Sequence, residues 1–357
     1  MQAAKEHSLK LDTQGARFPW MASFDGSEQC ESWDTGACEL HITCDIAYAF
    51  DQYVRTTGDL HFLVEQAAEL YFETARFWAS RYTYDSQRDC YNLLFVKGPD
   101  EYCGVSHNNT YTVYLSRYNL ELAINTIKYL KDAQPQFLKS LYQKIDFDES
   151  EIDKWLDIIS KTKTNYIEAR RLFVEDDTFM LLEPLDIQKH KKDNIPLYHQ
   201  ICFDRLQRYQ VIKQADVILL MALLPTCFSE EQKKAAWDYY EPLTLHDSTL
   251  SFGIHALFGA QINRMEKASD YIQKSLYLDL DNIMNNTGTE GLHIAALGAT
   301  WQAIIFGFAG VSVSDGQIRA NPRLPAEWKH ISFTLIIKGE RVHFSISNDH
   351  CEIKAIS

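Results

Sequence analysis

Residues 63–78 read Leu-Val-Glu-Gln-Ala-Ala-Glu-Leu-Tyr-Phe-Glu-Thr-Ala-Arg-Phe-Trp. Leu63, Ala67, Leu70, Thr74 and Phe77 recur at spacings of four and three, with Trp78 beside the last, which is the stripe of an amphipathic helix. Leu120, Ala123, Ile127 and Leu130 repeat the pattern. The run 212–224 is apolar nearly all round and predicts a buried helix stopped by Pro225. Residues 291–309, small and apolar with Gly291, Gly298 and Gly307, predict another. The stretch 131–195 is richer in Lys, Asp and Glu and reads as exposed helices and loops. Past residue 311 the period changes. Ile331, Phe333, Leu335 and Ile337 alternate, Lys338-Gly339-Glu340 makes a turn, and Val342, Phe344 and Ile346 alternate again, which predicts a β-hairpin with one buried face. A long helical body with a short β tail fits a helical solenoid or a closed helical barrel.

Composition narrows the function. The chain has 357 residues with 49 acidic and 35 basic groups, a net charge of −14. That balance argues against a protein that grips nucleic-acid phosphates, which needs surplus Lys and Arg. No apolar run reaches the roughly 18 residues of a membrane span, and no secretory signal follows Met1. Eight scattered cysteines without a C-x-x-C pair read as reduced thiols of a cytoplasmic protein. No metal site is expected, since zinc spacings are absent. The sequons at Asn108 and Asn285 matter only in a secreted chain.

Five segments look unlike ordinary helix packing. Gly15-Ala-Arg-Phe-Pro-Trp20 is a loop presenting an aromatic. His41 and Asp45 are four apart and share a helix face, as a capping or surface pair or as a site. In Gly98-Pro99-Asp100-Glu101-Tyr102 two carboxylates follow a forced turn. A loop carboxylate flanked by Tyr suits a general acid whose pKa is raised by apolar surroundings. The alternative is a helix cap by Asp100 or Asn108. Lys213 and Asp216 lie within the apolar run 212–224, where charges need a partner, so an i,i+3 ion pair competes with a functional role for Lys213-Gln214. His246-Asp247-Ser248-Thr249, echoed by residues 286–293, offers hydroxyls and free amides for an oxyanion or phosphate, although a helix cap explains part of it. Spacing alone leaves the chemistry open.

In this order the segments resemble glycoside hydrolase family 65, the inverting phosphorylases of maltose, kojibiose, nigerose or trehalose. The matching stretches are GARFPW (15–20), HITCDIAYAFDQYVRTTGD (41–59), ETARFWASR (73–81), GPDEY (98–102), IKQADV (212–217), YEPLTLHDSTLS (240–251) and EGLHIAALGATW (290–301). The resemblance covers the C-terminal portion of the family. It implies a mainly α chain: an (α/α)6 barrel over 1–312, lacking its first helices, then a small C-terminal β-sheet domain over 313–357. Glu101 falls on the family's general acid. The phosphate site falls around Lys213, Gln214, His246, Ser248 and Thr249. Trp20, His41 and Asp45, with Lys213 and Gln214, are candidates for shaping the sugar subsites. The partners implied are a disaccharide and inorganic phosphate, the latter a co-substrate with no further cofactor; no nucleic acid or membrane is expected, and a homodimer is a candidate assembly.

Two features depart from the family. After GPDEY the chain reads Cys-Gly-Val-Ser-His-Asn-Asn-Thr-Tyr-Thr-Val where an Asn-Ala-Tyr-Thr-Asn run is usual. The family's N-terminal β-sandwich, linker and Trp-Asp-Thr-Glu motif do not precede Gly15; Ser32-Trp-Asp-Thr-Gly36 lies after it and lacks the Glu. Apolar faces near the N-terminus are therefore expected to be exposed. The alternatives are an inverting α-glucosidase, with Glu241 or Glu290 as the base, an inactive truncated remnant, and a carbohydrate-binding module using its aromatics.

Overall fold

The computed structural model describes residues 1–190, 195–314 and 317–356. They fall into two compact units: residues 1–99, 104–165 and 175–178, and residues 100–103, 166–174 and 179 onward. Residues 191–194, at the end of the charged stretch 131–195, and residues 315–316 and 357, in the expected β tail, lie outside the described set.

The first unit is helical. The stripe at 63–78 lies within a helical run from Leu60 to Arg81, which makes one π-turn at Leu63–Ala67. Its apolar stripe is buried: Leu70, Phe77 and Trp78 are among the core side chains. Beside it lie the helices Ile42–Thr57 and Thr110–Ala133. The longer of these starts where Asn109 accepts from the amide of Thr112 at 2.9 Å, so the cap is Asn109 rather than Asp100 or Asn108. The charged stretch forms two amphipathic helices, Pro135–Ile145 and Ser150–Lys161. Each buries one side, through Leu138, Leu141 and Ile145 and through Trp155 and Ile158. Gly15 occupies the left-handed region at φ 70°, where a Cβ would collide with the carbonyl oxygen of Glu73. The GARFPW loop therefore sits tightly on the Ala68–Arg81 helix. Near the N-terminus Leu9, Phe24 and Trp33 are exposed.

The second unit is built around the helix Ser251–Gln261, of which residues 251–260 are all buried. The helices Val217–Leu223, Met265–Leu276 and Ile294–Gln302 surround it. Two expectations change here. The helix expected over 212–224 begins only at Val217, because the amide of Ile212 bonds to the carbonyl of Leu243 and that of Leu245 to Ile212, both in a parallel bridge. The run 291–309 is helical from Ile294, ending in π-turns at Ala303–Phe308, but it is buried on one side only. Ala296, Ala299 and Thr300 face inward, while Ile294, Leu297 and Trp301 form an exposed stripe at helical spacing.

The hairpin is present. Strands Ile331–Ile337 and Glu340–Ile346 pair in antiparallel register, Phe333 opposite Phe344 and Leu335 opposite Val342. Lys338 and Gly339 turn the chain with φ of 51° and 81°, the positive pair that a two-residue hairpin turn requires. A third strand, Cys351–Ile356, adds to the outer edge of Glu340–Ile346. The chain is thus mainly helical with a small antiparallel sheet at its C-terminal end. Among the described residues, no helix is long and apolar enough to cross a membrane.

Candidate active site

Three stretches far apart in sequence meet within the second unit: residues 100–102, 211–214 and 244–249. The adjacent carboxylates of Asp100 and Glu101 have different fates. Asp100 is fully buried, and its Oδ1 accepts from the amides of Tyr102 at 3.2 Å and Lys213 at 2.7 Å. It therefore folds the turn and pins it to the 211–214 stretch. Glu101 keeps a partly exposed side chain. Its Oε2 takes the Lys213 ammonium and, at 3.1 Å, the Gln214 amide nitrogen. The expected Lys213–Asp216 ion pair is replaced: the partner of Lys213 is Glu101, and Asp216 lies buried just before the Val217–Leu223 helix. The Lys213 ammonium also stands 5.4 Å from the centre of the Tyr198 ring, close enough for a cation–π attraction.

The third stretch is tied in through Asp247. Its amide donates to the carbonyl of Lys213 at 3.2 Å. Its Oδ2 accepts from the Tyr102 hydroxyl at 2.7 Å and the Leu197 amide at 2.8 Å. Tyr102, Leu197, Leu206, Val211 and Leu245 pack together beneath, so the acid-bearing turn and the 246–249 loop share one apolar floor. Burial, and then the Asp247 carboxylate, push the Tyr102 phenol far up; it stays a hydrogen-bond donor. His246 adopts φ 54°, and Ser248 and Thr249 are partly exposed before the Ser251–Gln261 helix. The echo at 286–293 is held otherwise: the amide and Nδ1 of His293 engage Asp279 at 2.8 and 2.7 Å.

The remaining candidates belong to the first unit. His41 precedes the Ile42–Thr57 helix, and its Nδ1 lies 2.6 Å from Asp45 and its Nε2 3.1 Å from Glu39. Burial alone would lower its pKa, but Asp45 and Glu39 overcome this and push it up to about 10. Both ring nitrogens are thus spent on carboxylates, and His41 acts as a fixed cation. Asp45 also accepts from the Tyr111 hydroxyl at 2.8 Å and keeps a partly exposed side chain. Trp20 is half-buried, with its amide on Glu28 at 2.7 Å.

The two carboxylates offered as hydrolytic bases are engaged elsewhere. Glu241 accepts from the Tyr271 hydroxyl at 2.6 Å and pairs with Lys267 at 3.0 Å. Burial pulls its pKa upward, but these two partners hold it below the ordinary value. Glu290 is exposed, bonded to Asn286 at 2.8 Å and 3.5 Å from His293. Sequence reasoning missed Tyr198, which lies outside every stretch singled out, and it gave Asp100 and Asp247, though inside GPDEY and YEPLTLHDSTLS, no part in tying the three stretches together.

Comparison with known proteins identifies the family. Residues 1–302 match the model of the glycosyl hydrolase family 65 central catalytic domain, and residues 311–357 that of the family's C-terminal domain. The chain is 35% identical over 370 residues to a kojibiose phosphorylase of Halothermothrix orenii, covering 100% of this chain and 47% of the relative. It is 33% identical over 353 residues to an alpha,alpha-trehalose phosphorylase of Thermoanaerobacter brockii, covering 98% and 45%. A maltose phosphorylase of Bacillus subtilis is 31% identical over 346 residues, with 97% and 44% covered. A solved structure called "Putative kojibiose phosphorylase from human microbiome" superposes with a TM-score of 0.91 at 28% identity, covering all of this chain and 52% of that one. The chain spans about half the length of the curated relatives it matches. By the extent of the domain match and the identity to these relatives, the chain belongs to glycosyl hydrolase family 65.

Proposed function

We propose that the protein carries out inverting phosphorolysis of an α-linked glucose disaccharide such as maltose, kojibiose, nigerose or trehalose, releasing β-glucose 1-phosphate and glucose. Glu101 gives its proton to the glycosidic oxygen as that bond to the anomeric carbon breaks. A phosphate oxygen forms the new bond from the opposite face. Lys213, Gln214, His246, Ser248 and Thr249 form the phosphate cradle, and Trp20, His41 and Asp45 serve the sugar. Of these, Asp45 keeps a partly exposed carboxylate, and His41 works by holding it. The residues over 1–312 act as an (α/α)6-barrel catalytic domain and those over 313–357 as the C-terminal sheet domain.

The observation that carries this reading is the meeting of Glu101 with the Lys213 ammonium and the Gln214 amide, next to the 246–249 loop. An inverting hydrolase needs a second carboxylate about 6.5–9.5 Å from the acid to activate water, whereas an anionic nucleophile needs none. Glu241 and Glu290 have other partners, which weighs against α-glucosidase activity.

The test is incubation of the full chain with each disaccharide, with and without phosphate, following the product anomer by NMR. Phosphate-dependent release of β-glucose 1-phosphate, abolished by Glu101→Gln, is expected. Glucose release that ignores phosphate would favour hydrolysis, and no reaction with any sugar would favour an inactive remnant.

A further inference from the structure

On His246 converge four polar side chains, those of Glu241, Tyr271, Ser251 and His255, to which the reaction above gives no role. Tyr271 gives its hydroxyl hydrogen to Glu241 at 2.6 Å. Its oxygen can then only accept from His246, whose Nε2 lies 3.0 Å away. Nε2 of His246 therefore bears the hydrogen. The other end of this network leads to the same answer. His255 Nδ1 lies 3.0 Å from the carbonyl oxygen of Ser251, which is an acceptor only, so that nitrogen is protonated and cannot accept. Among the described residues, the acceptor left to the Ser251 hydroxyl is Nδ1 of His246, at 2.8 Å. Two neighbours on opposite sides thus fix one tautomer and one ring plane, a state assigned from the network. Phe252 stacks on the same ring at 5.2 Å and 16°.

The clamp matters because of the backbone it holds. His246 sits at φ 54°, a region disfavoured for any residue with a Cβ. Ser248 and Thr249 follow after the anchored Asp247, and the direction of their amides and hydroxyls depends on that turn. We propose that Glu241 and Tyr271 are positioning residues for anion binding: acting through His246, they hold the 246–249 loop in its anion-ready shape. Glu241, weighed above as a hydrolytic base, supports the phosphate site instead, since its side-chain oxygen takes the Tyr271 hydrogen and so sets the direction of each hydrogen bond along the network. The proposal rests on the reading of this loop as the phosphate site.

Calorimetric titration of the full chain with inorganic phosphate alone tests both levels separately. Ser248→Ala and Thr249→Ala address the loop itself; if phosphate affinity is absent in the wild type or unchanged in these variants, the reading of the loop fails and the relay with it. Tyr271→Phe cuts the relay and is expected to weaken phosphate about tenfold, the effect of one lost charge-linked hydrogen bond, with disaccharide affinity unchanged. Glu241→Gln keeps an amide oxygen for Tyr271 and should stay within about threefold of the wild type, while Glu241→Leu should match Tyr271→Phe. Wild-type phosphate affinity in a folded Tyr271→Phe protein overturns the relay, as does an equal loss for disaccharide. If that variant fails to fold, nitrogen-15 NMR of wild-type His246 decides: an Nε2–H ring is expected, and an Nδ1–H ring overturns the proposal.

Discussion

Protonated His41 makes the stability of the first unit depend on pH in a calculable way. Its pKa stands at about 10 in the folded chain and near 6.5 when unfolded. A raised folded pKa contributes stability that is fully present below pH 6.5 and lost as pH rises through 10. Linkage with these two values gives a contribution of about 4 kcal/mol at pH 7, most of which is gone by pH 9. The loss between them is on the order of 2–3 kcal/mol. Other groups titrate in that window, so the quantity to measure is a difference. Urea unfolding at pH 7, 8 and 9, followed by far-ultraviolet circular dichroism, is compared between wild type and His41→Gln. The gap between the two should shrink by roughly 2–3 kcal/mol across the series. Nitrogen-15 NMR gives a second readout, since the folded imidazole should remain doubly protonated at pH 8. A ring that titrates near 6.5 in the folded protein, or a gap that stays constant with pH, would refute the double-carboxylate reading of His41.

Three other substitutions probe the site and its supports. Tyr102→Phe removes the donor to Asp247 and should cost about 2 kcal/mol in urea unfolding, as for a hydrogen bond to a charged group, while also raising the KM for phosphate; an unchanged stability would mean that Asp247 is satisfied without it. Lys213→Met leaves Glu101 without its ammonium and should raise the KM for phosphate at least tenfold in steady-state assays, more than it raises the KM for disaccharide. Gly15→Ala forces a Cβ against the Glu73 carbonyl at a positive φ. It should lower the urea midpoint clearly, whereas Gly288→Ala, where a Cβ meets nothing within 4 Å, should not.

Local pattern announced most of the elements and few of the partners. The stripe at 63–78 and the alternation at 331–346 were legible because each buries one face with its own period. The 212–224 run was misread at its start, since Ile212 is apolar in a helix or a bridge alike and only the distant 243–245 stretch decides between them. By residue type and spacing Asp100 and Glu101 are equivalent, and only the family resemblance chose Glu101; in the fold what separates them is the amide of Lys213, which reaches Asp100 and leaves Glu101 partly exposed. The Lys213–Glu101 pair joins residues 112 apart, and no spacing rule reaches that far. The network at His246 takes Glu241, Ser251 and His255 from nearby positions, but the link that joins them, Tyr271, lies 25 residues from His246, and no local spacing supplies it.

The stripe of Ile294, Leu297 and Trp301 shapes how the isolated chain behaves in bulk. Three large apolar side chains on one side of a helix attract their copies, while a charge of −14 at pH 7 keeps molecules apart. That repulsion fades toward the isoelectric point near pH 5.3 and is screened by salt within about 10 Å at 0.1 M. Colloidal stability is therefore bounded on the acid side: light scattering should rise as pH falls from 7 to 5.3, and Trp301→Glu should delay the onset.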